Sequence, residues 1–191
     1  MPTANAENNF VSRAERKLEG AVRAFRYDFR DKTVLDIGSS TGGFTELALK
    51  LGAKQVFAIE KGSRQMKAPL RFDPRVELHE KTDFFDVVCV PVVDTIVADV
   101  SFVSLTRILK HAREFADQRT DFLVMLKPQF EARPQQLWKG VVKNEKMRRE
   151  IIKGFEIWLK QNKFIILNKR DNEVLGKNGN QERFYYLKIA K

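Results

Sequence analysis

Apolar residues in this chain follow two rhythms that alternate from end to end. Short, nearly unbroken runs bounded by Gly, Asp or Pro read as buried strands. They cover residues 33–37 (TVLDI), 55–60 (QVFAIE), 76–79 (VELH), 94–100 (DTIVADV) and 121–126 (DFLVML). Between them apolar positions recur at helical spacing. Such patterns cover 43–51, closed by Gly52; 64–70, stopped before Asp73-Pro74; 105–116; and 144–161, where Met147, Ile151, Phe155, Trp158 and Leu159 form a stripe. An opening helix over 13–25 is signalled by Ser12 with Glu15 three residues later, a capping box. Two last strands, 163–167 and 184–189, are separated only by a loop rich in turn residues: Gly176, Gly179, Asn172, Asn178 and Asn180.

Strand and helix in alternation imply an α/β, doubly wound sheet, mostly parallel, with helices on both faces. Two final strands with no helix between them should pair as an antiparallel hairpin at the sheet edge. That combination is the usual shape of a class I, Rossmann-like methyltransferase, one option among the doubly wound folds.

The stretch DIGSSTGGFTELAL (36–49) lies where the first strand feeds the first crossover helix. In open sheets such a turn commonly holds a ligand. Three ligands compete for it. A nucleoside triphosphate would need a lysine one residue before Thr45, and Phe44 stands there. A dinucleotide would need glycine as the second of three fingerprint positions, and Ser40 stands between Gly38 and Gly43. S-adenosylmethionine, a nucleoside without phosphate, fits better. Gly38 permits a tight turn, and Gly42 and Gly43 allow close approach. Asp36 can order the turn, and Glu60, ending the second strand, is placed for a ribose. Asp83 would meet the adenine amino group in this fold, or would cap the next segment. Phe44, Phe84 and Phe102 follow loop positions near this pocket. Glycines serving strand–helix packing alone are the bland alternative.

Composition narrows the class. The chain has 191 residues, 43% of them hydrophobic, which suits one folded domain over 10–191 behind a loose polar tail at 1–9. No apolar run approaches the roughly 18 to 20 residues of a membrane span. A single Cys, Cys89, excludes an intrachain disulfide and reads as a small buried hydrophobe; it fits a reducing cytoplasm. His79 and His111 show no ligand spacing, so no metal site is expected. A net charge of +10 favours a polyanionic partner, and nucleic acid is the usual one.

Five further segments carry a family resemblance together with the glycine turn: VSRAERKLE (11–19), VADVSFVSL (97–105), LKPQFEA (126–132) and, more loosely, KGVVKN (139–144) and GNQERFYYL (179–187). The chain resembles the hemolysin-A-type, or TlyA-like, ribosomal RNA methyltransferases. These are relatives of the FtsJ-like ribose 2′-O-methyltransferases. The resemblance covers about residues 10–190. It implies S-adenosylmethionine as cofactor, RNA as substrate, probed most naturally as rRNA or ribosomal subunits, and a Lys-Asp-Lys-Glu tetrad. Lys17, Asp99 and Lys127 match the first three members, and Glu182 matches the glutamate, with Glu131 as a nearby rival. Asp99 would also sit beside the sulfonium. Typical members carry a small RNA-binding module ahead of the first helix. Here nine polar residues precede Phe10, so the expected unit is the methyltransferase domain without that module.

A ribose hydroxyl is a poor nucleophile at neutral pH, so the chemistry reduces to in-line placement and removal of one proton. Lys127 is expected to contact the 2′-hydroxyl and accept its proton as a neutral amine. Burial and Lys17 favour that form; Asp99 and Glu182 oppose it. A charged Lys127 would instead orient the oxygen and stabilise its developing charge. RNA contacts are expected from Arg13, Arg16 and Arg23 on the first helix and from Arg133, Lys139 and Lys143 after the fifth strand. The rival reading is a non-catalytic RNA-binding or ribosome-assembly factor that keeps the cofactor fold.

Overall fold

The computed structural model describes residues 12–88 and 90–191; the tail over 1–9 and Cys89 lie outside the described residues. Helix α1 (Arg13–Phe25) starts where the Ser12 hydroxyl accepts a hydrogen bond from the Glu15 backbone N–H at 3.0 Å, and stops at Arg26 in the left-handed conformation. The chain then alternates through β1 (Thr33–Ile37), α2 (Gly43–Lys50), β2 (Gln55–Glu60), a short α3 (Ala68–Arg71), β3 (Val76–Glu80), β4 (Thr95–Ala98), α4 (Leu105–Ala112) and β5 (Asp121–Leu126). One helical turn, α5 (Pro128–Glu131), leads to a two-stranded hairpin, β6 (Leu137–Trp138) and β7 (Val141–Val142). Helix α6 (Glu145–Gln161) and strands β8 (Phe164–Asp171) and β9 (Arg183–Ile189) complete the chain.

Seven strands form one sheet in the order β3-β2-β1-β4-β5-β9-β8. The first five pair in parallel, and β9 runs antiparallel to both β5 and β8. The order reverses between β1 and β4, which opens a crevice at the carboxyl ends of those strands. Every residue of β1, β4 and β5 is buried, as strands covered on both faces should be. Alternation sorts their side chains between two cores. Leu35, Ile37, Ile96, Phe122 and Val124 pack under α4 and α6. Val34, Val97, Leu123, Met125 and Phe184 pack under α1 and α2.

Several boundaries differ from the sequence pattern. The pattern over 105–116 gives an α-helix only to Ala112; Arg113–Phe115 tightens into a 3-10 turn. There Phe115 is buried, and its carbonyl accepts the Val93 N–H at 3.0 Å. The pattern over 64–70 yields helix only at Ala68–Arg71. Its first residues are held elsewhere: Arg64 has φ +54°, and the Gln65 N–H donates to Glu80. Strand β8 runs on to Asp171, whose carboxylate is held by Arg148 and Arg183.

Candidate active site

Register brings the chemistry together. Ile37 pairs with Ala98, so Gly38 lies beside Asp99; Ala98 pairs with Val124, and Leu126 with Arg183. One step past the last β5–β9 pair, Lys127 therefore faces Glu182. Continuing the alternation of Val97, Met125 and Phe184, the side chains of Asp99, Lys127 and Glu182 turn toward the face covered by α1. Helix α1 supplies Lys17. Its apolar neighbours Leu18 and Ala21 are buried on the same face, which fixes how far Lys17 reaches.

Two ion pairs result. Lys127 Nζ lies 2.6 Å from Asp99 Oδ1, with the side chains 12% and 17% exposed. Lys17 Nζ lies 2.5 Å from Glu182 Oε2, and Glu182 is almost wholly buried. Lys127 also donates to Ser101 Oγ at 2.9 Å. The Asp99 contact is an ion pair and Ser101 takes the hydrogen bond, so among the described residues Lys127 keeps N–H capacity for a substrate oxygen. Glu131, the rival glutamate, is engaged elsewhere. It accepts from Ser104 Oγ and from the Leu105 N–H, both at 2.6 Å, and so anchors the start of α4. Burial raises its pKa above the usual carboxylate value, against those two hydrogen bonds.

The glycine turn is built as tightly as its sequence suggests. Gly38 has φ +81°, and a Cβ there would meet the Asp99 carbonyl oxygen at 3.1 Å. Gly42, with φ +91°, is packed against Leu70 and Met66. Gly43 lies under the start of α1, against Ser12, Ala14 and Glu15. At both positions the space a Cβ would fill is taken by packed neighbours, so a ligand could meet only their backbone. Phe44 is likewise turned into the core, its ring 5.9 Å from that of Phe184, so a ligand could use only its backbone. Phe84 is also buried, whereas Phe102 is 92% exposed with φ +62°. Its ring lies 5.1 Å from Phe130 at the mouth of the crevice.

The donor set around the turn fits a cationic nucleoside. Glu60 accepts the Ser40 N–H at 2.9 Å and the Gly62 N–H at 2.5 Å, with Gln65 at 3.2 Å. Asp83 caps a 3-10 turn through the Phe85 N–H and pairs with Lys61 at 2.8 Å; that ammonium lowers its pKa. Asp36 is fully buried in β1, faces α2 and accepts Thr45 Oγ1 at 2.6 Å, while its other oxygen has no hydrogen-bond partner among the described residues. Burial pushes its pKa up to about 7, with Asp99 and Glu60 adding like charge and Thr45 opposing. Residues 36–49 contain no Lys or Arg. Carboxylates with no cation in the turn disfavour a phosphate and suit an ammonium, a sulfonium and ribose hydroxyls.

The six basic residues expected to meet RNA, Arg13, Arg16, Arg23, Arg133, Lys139 and Lys143, are all exposed. Arg23 lies 3.8 Å from Glu173. Sequence reasoning missed Ser101, which shares the DVSF motif with Asp99 and was legible there as a hydroxyl two residues on. It also missed Gln65 and the Thr45 partner of Asp36. A separate groove of about 720 Å³ between α4, α5 and α6 contains none of the tetrad. No group of three or more His, Cys, Asp or Glu among the described residues could hold a metal ion. No helix among them is long and apolar enough to cross a membrane.

A seven-stranded, doubly wound sheet with one antiparallel strand and a carboxylate-lined turn at the β1/β4 crevice defines a class I methyltransferase fold, whose members draw their methyl group from S-adenosylmethionine. The FtsJ-like methyltransferase model matches residues 10–189, and the chain belongs to that family. The resemblance read from the motifs is borne out by individual relatives. YqxC of Bacillus subtilis is 36% identical over 185 residues, which are 93% of this chain and 65% of that protein. The 23S rRNA (cytidine-2′-O)-methyltransferase TlyA of Campylobacter jejuni is 33% identical over 179 residues, 93% of this chain and 70% of that one. A solved Streptococcus thermophilus protein that carries the name hemolysin superposes with a TM-score of 0.91 at 29% identity, over 98% of this chain and 70% of its own. The chain thus spans about two thirds of the length of these relatives.

Proposed function

We propose that this chain methylates a ribose 2′-hydroxyl of RNA, with ribosomal RNA as the substrate and S-adenosylmethionine as the donor. The observation that carries the reading is the convergence of Lys127–Asp99 and Lys17–Glu182 at the carboxyl ends of the strands, beside the carboxylate-lined turn. The TlyA relative's name, a cytidine 2′-O-methyltransferase of 23S rRNA, supports the choice of substrate. The exposed Phe102 ring offers a stacking surface for a base at the crevice mouth.

The donor supplies a methyl group already activated on a sulfonium. Transfer to a 2′-oxygen would form its bond to that carbon as the carbon–sulfur bond breaks, and would require the hydroxyl proton to leave. Lys127 holds the oxygen through its remaining N–H capacity and takes the proton when its amine is neutral. Asp99 and Ser101 fix the Lys127 side chain in that aim. Lys17 and Glu182 close the other flank, and Glu60, Asp83 and the backbone of Gly38 to Ser40 hold the nucleoside. Asp36 acts from behind the turn, through Thr45.

The test is transfer of labelled methyl to purified ribosomal subunits and their RNA, followed by nuclease digestion. Label in a 2′-O-methyl nucleoside is the expected result. Lys127→Ala should abolish it while cofactor affinity stays within about threefold; near-normal turnover by that variant would refute the assigned role. Cofactor binding with no transfer to any RNA would leave a non-catalytic RNA-binding protein.

A further inference from the structure

The β6–β7 hairpin puts a large aromatic ring where proteins seldom leave one. Trp138 is 67% exposed. The hairpin turns on Lys139 and Gly140, both with positive φ, 48° and 79°, the primed geometry that closes a two-residue turn tightly. Lys139 Nζ lies 5.9 Å from the Trp138 ring centroid, and the Lys143 N–H extends the ladder by donating to the Gln136 carbonyl at 3.0 Å. From Ala132 to Asn144 the chain carries Arg133, Lys139 and Lys143 and no acidic residue. An open indole face among cations, with no anion in the segment, is the surface that single-stranded nucleic acid binds: a base stacks and its phosphates find charge.

The hairpin is also wired to the tetrad. Asn180, buried, donates from Nδ2 to the Gly140 carbonyl at 3.0 Å and accepts the Val142 N–H at 3.2 Å. Its own carbonyl accepts the Gly176 N–H at 2.8 Å. Gly176 in turn lies against the Glu182 carboxylate, where any Cβ would collide with it. Glu182 stands two residues beyond Asn180, its carbonyl bonded to the Asn172 N–H at 3.0 Å, and the preceding Gln181 carbonyl accepts Arg148 Nε at 3.1 Å. A six-residue hairpin has little stability of its own. What it rests on and what rests on it therefore move together.

We infer that this hairpin is a nucleobase-stacking arm, and that Asn180 makes the arm's seating on RNA set the position of Glu182 against Lys17. The inference takes its partner from the RNA-methylation reading and adds to it a residue for substrate binding, Trp138, and a positioning residue, Asn180.

The test uses the full chain and an unstructured, pyrimidine-rich RNA oligonucleotide. The sequence has two tryptophans, so Trp158→Phe leaves Trp138 as the sole indole reporter. RNA should quench that fluorescence. Trp138→Ala should weaken RNA affinity roughly 5- to 100-fold, the loss of one base–aromatic stack, and Trp138→Phe should retain most of it. Asn180→Ala should keep RNA affinity within about threefold while lowering kcat on ribosomal RNA at least about tenfold, because it disturbs position and not contact. Absence of quenching, with Trp138→Ala binding RNA as the parent does, would overturn the arm. An Asn180→Ala variant that raises KM and leaves kcat intact would overturn the coupling. Quenching without methyl transfer by the parent would remove the methylation reading and keep the arm; transfer by Trp138→Ala at the parental KM would do the reverse.

Discussion

Asp36 is a carboxylate with almost nowhere to put its charge. Its side chain accepts from Thr45 Oγ1, its other oxygen has no hydrogen-bond partner among the described residues, and the charges of Asp99 and Glu60 that act on it are negative. Its pKa rises from the usual 3.8 to about 7. The folded chain therefore keeps this proton through a range of pH in which the unfolded chain has released it. Stability from this group is present below about pH 4 and falls as pH rises toward 7, at about 1.4 kcal/mol per unit. Asp36→Asn cannot ionise. Its stability relative to the parent should improve steadily between pH 4 and 7 in chemical unfolding; parallel pH profiles would show that Asp36 is ionised in the fold. Ser101 makes a different claim. Ser101→Ala removes one of two partners that aim Lys127, and should lower kcat roughly tenfold with KM for the cofactor little changed. A raised KM for the cofactor with kcat intact would assign the hydroxyl to cofactor binding.

Gly43 sits where α1 crosses the start of α2, with Ser12, Ala14 and Glu15 against it. A methyl group there pushes the helices apart. Gly43→Ala should cost about 1–3 kcal/mol of stability. It should also depress turnover beyond what unfolding explains, since α1 carries Lys17 to Glu182. Activity that tracks the folded fraction alone would separate the two effects. The strands and long helices were legible in the sequence because each has a repeating burial pattern of its own. Ser12 with Glu15 also acts locally and was visible as a cap; the Asn144 cap of α6 appears only in the structure. The single turn α5 and the β6–β7 hairpin were not legible, being too short to show a period, and of α3 only the presence and not the start could be read. Of the candidate site, Asp99 and Lys127 could be placed because each follows a recognisable strand. That Glu182, and not Glu131, meets Lys17 depends on pairing between residues 165 positions apart. No local pattern encodes such a contact. The motif names the turn without saying which way each side chain points, so that the Phe44 ring turns into the core was not legible.

Thirty-five Lys and Arg against twenty-five Asp and Glu give the molecule its +10 charge, and exposed cations occur both on α1 and after β5. If they hold RNA phosphates, affinity falls steeply with salt. Replacing Arg13 and Arg16 together should reduce the slope of log affinity against log salt by about 2, one unit for each lost phosphate contact. An unchanged slope would make them ordinary solvated charges.

The position of β9 has a consequence in time. It lies between β5 and β8 and pairs with both, yet it follows them in the chain. A chain growing from its amino end can therefore form β1 to β5 and α1 to α6 while β5 still has a bare edge and β8 has no neighbour. Residue 182 enters with that last strand, so Lys17 waits through most of synthesis for its carboxylate. The same late strand that seals the sheet completes the Lys17–Glu182 pair, and a half-made chain, however well its glycine turn is formed, has no finished site.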